Sequence, residues 1–273
     1  MGGDMGMIAS PQNKKIKDIR RLLRCKGEWT LLEGPHLVGA ALEAGAALET
    51  VLATAPFLST PEGRRLSAGM AGPPLVVEPR VLEVLADADS PRGIAALARL
   101  PRGGAETLPA VPGGLYLYLE GLQDPGNLGA LARTAEAAGA AGIALSPGAA
   151  SPNHPRALRA SAGSLLRLPA AVGVEPAALE ARLAPLGPRW AALVPHGGQD
   201  LYGPLELPAA APLVLALGAE GPGLSPALSR RAALRVTIPL EPPVESLNAT
   251  VAAALALFEL RRRRLGEARA SML

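Results

Sequence analysis

From Asn13 to Cys25 the apolar residues Ile16, Ile19, Leu22 and Leu23 recur at helical spacing. That spacing predicts a helix with one face on a core and the other in water. The run 29–33 (Trp-Thr-Leu-Leu-Glu) reads as a strand, 35–46 as a helix and 48–53 as a second strand. A helix over 61–70, the run 74–77, a helix over 79–85 and the run 93–98 follow. Strands alternating with helices over about a hundred residues predict a small layered α/β domain.

The stretch 101–114, Pro-Arg-Gly-Gly-Ala-Glu-Thr-Leu-Pro-Ala-Val-Pro-Gly-Gly, breaks every periodicity and reads as a linker. Beyond it the strand-like runs 115–119, 142–145, 190–194, 213–217 and 234–238 are almost wholly apolar. Uniformly apolar strands are buried on both faces, as in a parallel sheet. The expected organisation is therefore a flexible N-terminus (1–9), a first domain (10–100), a linker (101–114) and a second, parallel-sheet α/β domain (115–273).

Composition narrows the chemistry. A single cysteine, Cys25, excludes an intramolecular disulfide framework and a cysteine-rich metal site. The three histidines, His36, His154 and His196, are far apart, so no metal site is expected. Neither a membrane-spanning apolar run nor a signal peptide is evident, which makes the cytoplasm the expected compartment. The net charge of +3 is modest but uneven, because every lysine of the chain lies between positions 14 and 26. There Lys14, Lys15, Lys17, Arg20, Arg21 and Arg24 face a single Asp18, a pattern suited equally to RNA phosphates and to a solvated helix face. For Arg261–Arg264, the reading is a helix C-terminus complemented by positive charge.

Three strand-to-helix junctions in the second domain each carry a surplus polar residue. The first, Asp124-Pro-Gly-Asn-Leu-Gly-Ala-Leu-Ala-Arg133, places Asn127 at a turn and Arg133 off the apolar face of Leu128, Leu131, Ala132 and Ala135. Asn127 there suits a helix cap or a ligand contact, and Arg133, taken to lie in the helix's first turns, suits an anion better than the dipole. The second, Gly218-Ala-Glu-Gly-Pro-Gly-Leu-Ser225, is glycine-rich and contains Glu220. It lacks the Lys-Ser or Lys-Thr of a phosphate loop, so it suits a ligand held by backbone. The third, Glu245-Ser-Leu-Asn248, precedes a helix whose apolar stripe is expected to be Val251, Ala254, Leu255 and Phe258. Capping would explain Ser246 and Asn248 individually. Three junctions of one kind, at the carboxyl ends of strands, point instead to one site.

In their order and spacing these three motifs resemble those of the SpoU (TrmH) branch of the SPOUT methyltransferases. The first domain resembles the L30e-like substrate-binding module of that family, through Ser10-Pro-Gln-Asn-Lys14, Leu32-Glu-Gly-Pro-His36 and Ser90-Pro-Arg-Gly-Ile-Ala95. The resemblance implies 2′-O-methylation of a ribose in structured RNA from S-adenosyl-L-methionine, with 23S-type ribosomal RNA preferred to transfer RNA. A C-terminal deep trefoil knot and a homodimer are implied with it. Carried onto this chain, the cofactor site comprises Val194, Pro195, His196, Leu217, Gly218, Glu220, Gly221, Ile238, Leu240, Ser246, Leu247 and Asn248. The reacting centre comprises Arg133, Asn127, Glu220, Ser246 and Asn248. RNA contacts fall to Lys14, Lys15, Lys17, Arg20, Arg21, Arg24, Arg133 and Arg159. Two other classes compete: an inactive RNA-binding relative, disfavoured by the intact polar set, and a nucleotide-dependent oxidoreductase, disfavoured by the missing dinucleotide fingerprint.

Overall fold

A computed structural model describes residues 7–25, 27–86, 92–207, 210–219 and 221–270, with side chains described as far as Arg264. In chain order the first elements are α1 (Lys14–Arg24), β1 (Trp29–Glu33), α2 (Gly34–Glu43), β2 (Ala47–Ala53), α3 (Ala55–Leu58), α4 (Pro61–Ala68), β3 (Leu75–Val76), α5 (Pro79–Leu85) and β4 (Ile94–Arg99). There follow β5 (Leu115–Glu120), α6 (Pro125–Ala137), β6 (Gly142–Leu145), α7 (Pro155–Ala160), α8 (Ser164–Arg167), β7 (Ala170–Ala171), α9 (Pro176–Leu183) and β8 (Arg189–Leu193). The last are β9 (Gln199–Asp200), β10 (Leu213–Gly218), α10 (Pro226–Arg231), β11 (Leu234–Thr237) and α11 (Ala249–Ala270). The chain divides into two compact units, one of residues 1–101 with 153–167, the other of 102–152 with 168–273.

The first unit is built on a four-stranded sheet of order β1-β4-β2-β3, antiparallel except for the β2–β3 pair. Ile16 and Ile19 of α1 are buried with Leu31, Leu52, Val81 and Leu97, as the helical spacing predicts, while Lys14, Lys15, Lys17, Arg21 and Arg24 are exposed and Arg20 is half-buried. Two expectations are corrected here. Ile8 and Ala9 are ordered rather than flexible: Ile8 bridges Val77, and Ala9 O accepts from Arg80 Nε at 2.8 Å. Residues 1–6, Lys26, Ser90 and Pro91 lie outside the described residues.

The second correction concerns 153–167, expected in the second domain. Asn153 Nδ2 donates to Gly27 O at 2.9 Å and Leu100 O at 2.7 Å, while Asn153 O accepts from Thr30 Oγ1 at 2.8 Å. Arg159 pairs with the nearly inaccessible carboxylate of Glu33 at 3.4 Å. At Gly163 (φ 87°) a side chain would meet Ala40 Cβ at 2.7 Å. The segment thus completes the first unit by satisfying its buried polar groups.

The second unit carries a seven-stranded, wholly parallel sheet of order β7-β6-β5-β10-β8-β11-β9. β5 is buried from Leu115 to Leu119 and β10 from Leu213 to Leu217, as their unbroken apolar character predicts. Tyr118 meets Trp190 edge-to-face at 5.3 Å, and its hydroxyl, pushed up by burial and so kept neutral, donates to Val174 O. The supposed linker belongs to this core. Ala105 and Leu108 are buried in it, Leu108 O accepts from Arg182 Nε, and Pro109 O accepts from the Tyr116 hydroxyl. Proline and glycine broke its periodicity without freeing it from the fold.

Among the described side chains of α11, Ala253, Ala256, Leu257 and Leu260 are buried, whereas of the expected stripe Val251, Leu255 and Phe258 are exposed and Ala254 is half-buried, which reverses the expected orientation. The arginine quartet lies inside α11 and not at its end. Arg262 and Arg263 pair with Glu259, whose carboxylate is held below its ordinary value chiefly by the Arg262 hydrogen bond. Arg261 donates to Ala137 O, Arg263 to Leu201 O and Gly203 O, and Arg264 to Gly113 O. These side chains tie the Ala137 carbonyl at the end of α6 and the loop carbonyls of Leu201, Gly203 and Gly113 to α11.

Replacing Asn153 by Ala removes the donors to Gly27 O and Leu100 O. Urea titration is expected to show a loss of about 1–3 kcal/mol, chiefly the cost of leaving the buried Leu100 carbonyl unpaired. Unchanged stability would mean that the segment 153–167 does not hold the first unit together.

Candidate active site

Strands β8, β10 and β11 deliver their carboxyl ends to one edge of the sheet, where an open α/β fold binds its ligands. A cavity of about 780 Å³ lies there, the size of a small-molecule site. Its walls include Val194, Pro195 and His196 after β8, and Leu217, Gly218 and Gly221 at and after β10. Ile238, Leu240, Ser246, Leu247 and Asn248 complete them. These are the residues expected at the cofactor, apart from Glu220, which lies outside the described residues. Ser229 and Arg235 also line the cavity. Sequence reasoning missed them because neither stands in a glycine-rich turn.

The wall after β10 is made by close backbone packing. Gly223 N donates to Ala219 O at 3.0 Å, folding the loop back on itself. A Cβ on Gly218 would lie 1.9 Å from Gly223 C and 2.2 Å from Leu224 N, so only glycine fits. Gly221 and Gly223 have φ of 90° and 67°, the left-handed region that glycine enters without penalty. Such a wall offers peptide groups and apolar surface. It fits a large, mostly neutral ligand such as an adenosine group.

The helix caps decide between readings that the sequence leaves open. Asp124, not Asn127, caps α6, through Asn127 N to Asp124 Oδ1 at 2.7 Å. Asn127 Oδ1 accepts from Thr250 Oγ1 at 3.3 Å, which joins the first junction to the third. Ser225 caps α10 through Leu228 N. Asn248 does cap, since its Oδ1 accepts from Thr250 N at 2.9 Å, and it lines the cavity as well.

Arg133 lies eight residues beyond Pro125, about 12 Å along the axis of α6. It is therefore clear of the first turns, and the dipole argument for an anion does not apply. It is exposed, and neither it nor Asn127 lines the cavity. In the first unit, Lys17, Arg20, Arg21 and Arg24 rim a hollow of about 370 Å³ with Cys25. Lys14 and Lys15 occupy the first turn of α1, where no acidic residue offsets them; dipole compensation suits Arg21 and Arg24 but not these lysines. Arg159 is engaged by Glu33. Among the described residues no group of three or more His, Cys, Asp or Glu is placed to hold a metal ion, and no helix is long and apolar enough to cross a membrane.

Comparison with known proteins agrees with this geometry. The SpoU rRNA Methylase family model matches residues 114–258, and the MRM3-like substrate binding domain matches 13–96. An uncharacterized tRNA/rRNA methyltransferase of Synechocystis is 35% identical, over 95% of this chain and 94% of its own length. The 23S rRNA (guanosine(2553)-2′-O)-methyltransferase RlmP of Bacillus subtilis is 30% identical, over 94% of this chain and all of its own. The crystal structure of the SpoU methyltransferase AviRb from Streptomyces viridochromogenes with AdoMet superposes with a TM-score of 0.83. At 27% identity, that match covers 93% of this chain and 99% of AviRb. With a cofactor-sized cavity framed by the second and third motifs, and with family models matching residues 114–258 and 13–96, this chain belongs to the SpoU rRNA methylase family.

Proposed function

We propose that the chain transfers a methyl group from S-adenosyl-L-methionine to the 2′-hydroxyl of a ribose in 23S-type ribosomal RNA. The observation that carries this reading is the cavity at the strand ends, whose walls are the backbone-rich second and third motifs. Gly218 packs directly on the peptide atoms of Gly223 and Leu224, which makes that wall a cradle of peptide groups and apolar surface, so the residues present fit the cofactor. Bound there, S-adenosyl-L-methionine supplies a methyl group activated on a sulfonium. Gly218, Gly221, Leu240 and Leu247 hold it by backbone and apolar contact, with Ser246 and Asn248 at the mouth; Glu220 is assigned there from the motif alone. A ribosomal target is supported by the relation to RlmP, and the exposed cations of α1 suit the phosphates of structured RNA.

Arg133 is assigned to the reacting centre as a phosphate clamp that also stabilises the developing alkoxide. A guanidinium stays protonated in proteins, so it does not serve as the base. Because Arg133 is exposed and does not line its own cavity, it is assigned to the partner's site in a homodimer. Support for the dimer comes from α11, which lines the cavity with Ala249 and Ala252 yet leaves Val251, Leu255 and Phe258 48%, 39% and 47% exposed along one face. Such a stripe is a surface for a second copy. The trefoil knot remains part of this proposal, supported by the resemblance and by β8 lying between β10 and β11. A cytoplasmic location follows from ribosomal RNA as substrate.

Comparing 2′-O-methyl sites in RNA from cells with and without the gene tests the substrate; a site lost from transfer RNA instead would overturn the ribosomal assignment. Gly218→Ala is expected to weaken S-adenosyl-L-methionine binding at least tenfold by calorimetry with the far-UV spectrum retained, since the added methyl meets backbone. Arg133→Ala is expected to abolish turnover and leave cofactor affinity largely intact; unchanged turnover refutes its role. For Phe258→Glu, light scattering should report monomers that have lost activity, whereas an unaltered dimer removes the α11 stripe from the interface.

A further inference from the structure

Glu120 ends β5 directly opposite Gly218, the last residue of β10. Seven residues later the chain returns to the same side chain. Ser225 N donates to Glu120 Oε2 at 2.6 Å, and Ser225 Oγ donates to Oε1 at 2.7 Å. Both carboxylate oxygens are thus engaged by one residue, in short charge-assisted bonds of the stronger kind. The loop 218–225 is closed at both ends on Glu120, by strand pairing at Gly218 and by the carboxylate at Ser225. Between these anchors it supplies one wall of the cavity, whereas Glu120 and Ser225 lie outside the cavity's lining.

The other side of Glu120 matters equally. Gly121 follows with φ 69°, and its N donates to Ser146 Oγ at 2.9 Å. Asp124 then caps α6, the helix that carries Arg133. One carboxylate therefore ties the cavity wall to the strand that leads into this helix.

We infer that Glu120 is the positioning residue of the cofactor loop. It sets the loop through Ser225 and touches neither cofactor nor RNA. This inference rests on the proposed S-adenosyl-L-methionine site. An acid–base role is the competing assignment, and the two differ in which kinetic constant responds.

Glu120→Ala is expected to raise the calorimetric Kd for S-adenosyl-L-methionine at least tenfold, about 1.4 kcal/mol, while kcat at saturating cofactor changes little. Glu120→Gln keeps an acceptor for Ser225 N and should recover most of the affinity. Ser225→Ala should reproduce part of the loss, and the double variant Glu120→Ala/Ser225→Ala should bind no worse than Glu120→Ala alone, because the two groups act as one unit. Hydrogen exchange of amides 219–225 in the cofactor-free protein gives an independent measure, which should accelerate in Glu120→Ala. Should Glu120→Ala fold poorly, Glu120→Gln and Ser225→Ala carry the comparison. Native affinity together with native exchange in the variants overturns the inference, as does a kcat loss in Glu120→Gln at unchanged affinity. If the unaltered chain binds no S-adenosyl-L-methionine, the proposed function falls, and the exchange rates still decide whether Glu120 anchors the loop.

Discussion

At the end of β10 the backbone leaves no room for a side chain, and the cavity at the candidate active site depends on that constraint. Gly218 packs against the peptide atoms of Gly223 and Leu224 because Ala219 and Gly223 pair across the loop. The tight fold leaves peptide groups at the surface of the cavity. A polar side chain on a flexible stem would have to be ordered on binding, at an entropic cost that fixed backbone avoids. The parallel sheet serves this arrangement: strands buried on both faces are held rigidly, so their carboxyl ends present the three motifs at fixed separations.

Much of that arrangement was legible in sequence, because its causes are local. The unbroken apolar runs of β5 and β10 announce strands covered on both sides, and glycine at positions 218, 221 and 223 announces backbone that no other residue tolerates. Helix caps were less legible. Asp124 and Asn127 are both good capping residues three positions apart, and only the hydrogen bond from Asn127 N to Asp124 shows which of them starts α6. With the cap undecided, Arg133 is read into the first turns, where it carries an electrostatic argument that its position in α6 does not support.

Long-range burial left no trace in the pattern. The segment 153–167 has ordinary composition, and its membership of the first unit rests on particular bonds, such as those from Asn153 to Gly27 and Leu100. The stretch 101–114 misled in the opposite sense. Glycine and proline interrupt secondary structure there, but Leu108 is fully buried and its carbonyl is held by Arg182. Irregular backbone is mobile only when its polar groups and apolar side chains find no partners, and here they find them.

The C-terminal helix shows why periodicity fails when a helix is apolar on more than one side. Val251, Ala254, Leu255 and Phe258 recur at helical spacing and include the larger side chains, so the pattern nominates them as core. The reverse holds because alanines permit close approach of α11 to its neighbours, with Leu257 and Leu260 filling the remaining space. Large apolar residues left in water on a helix that also frames the cavity carry a free-energy cost that a monomer does not recover. Burying them against a second copy recovers it. In the proposed homodimer that face would be covered, and Arg133, exposed and outside the lining of its own cavity, would stand at the partner's site.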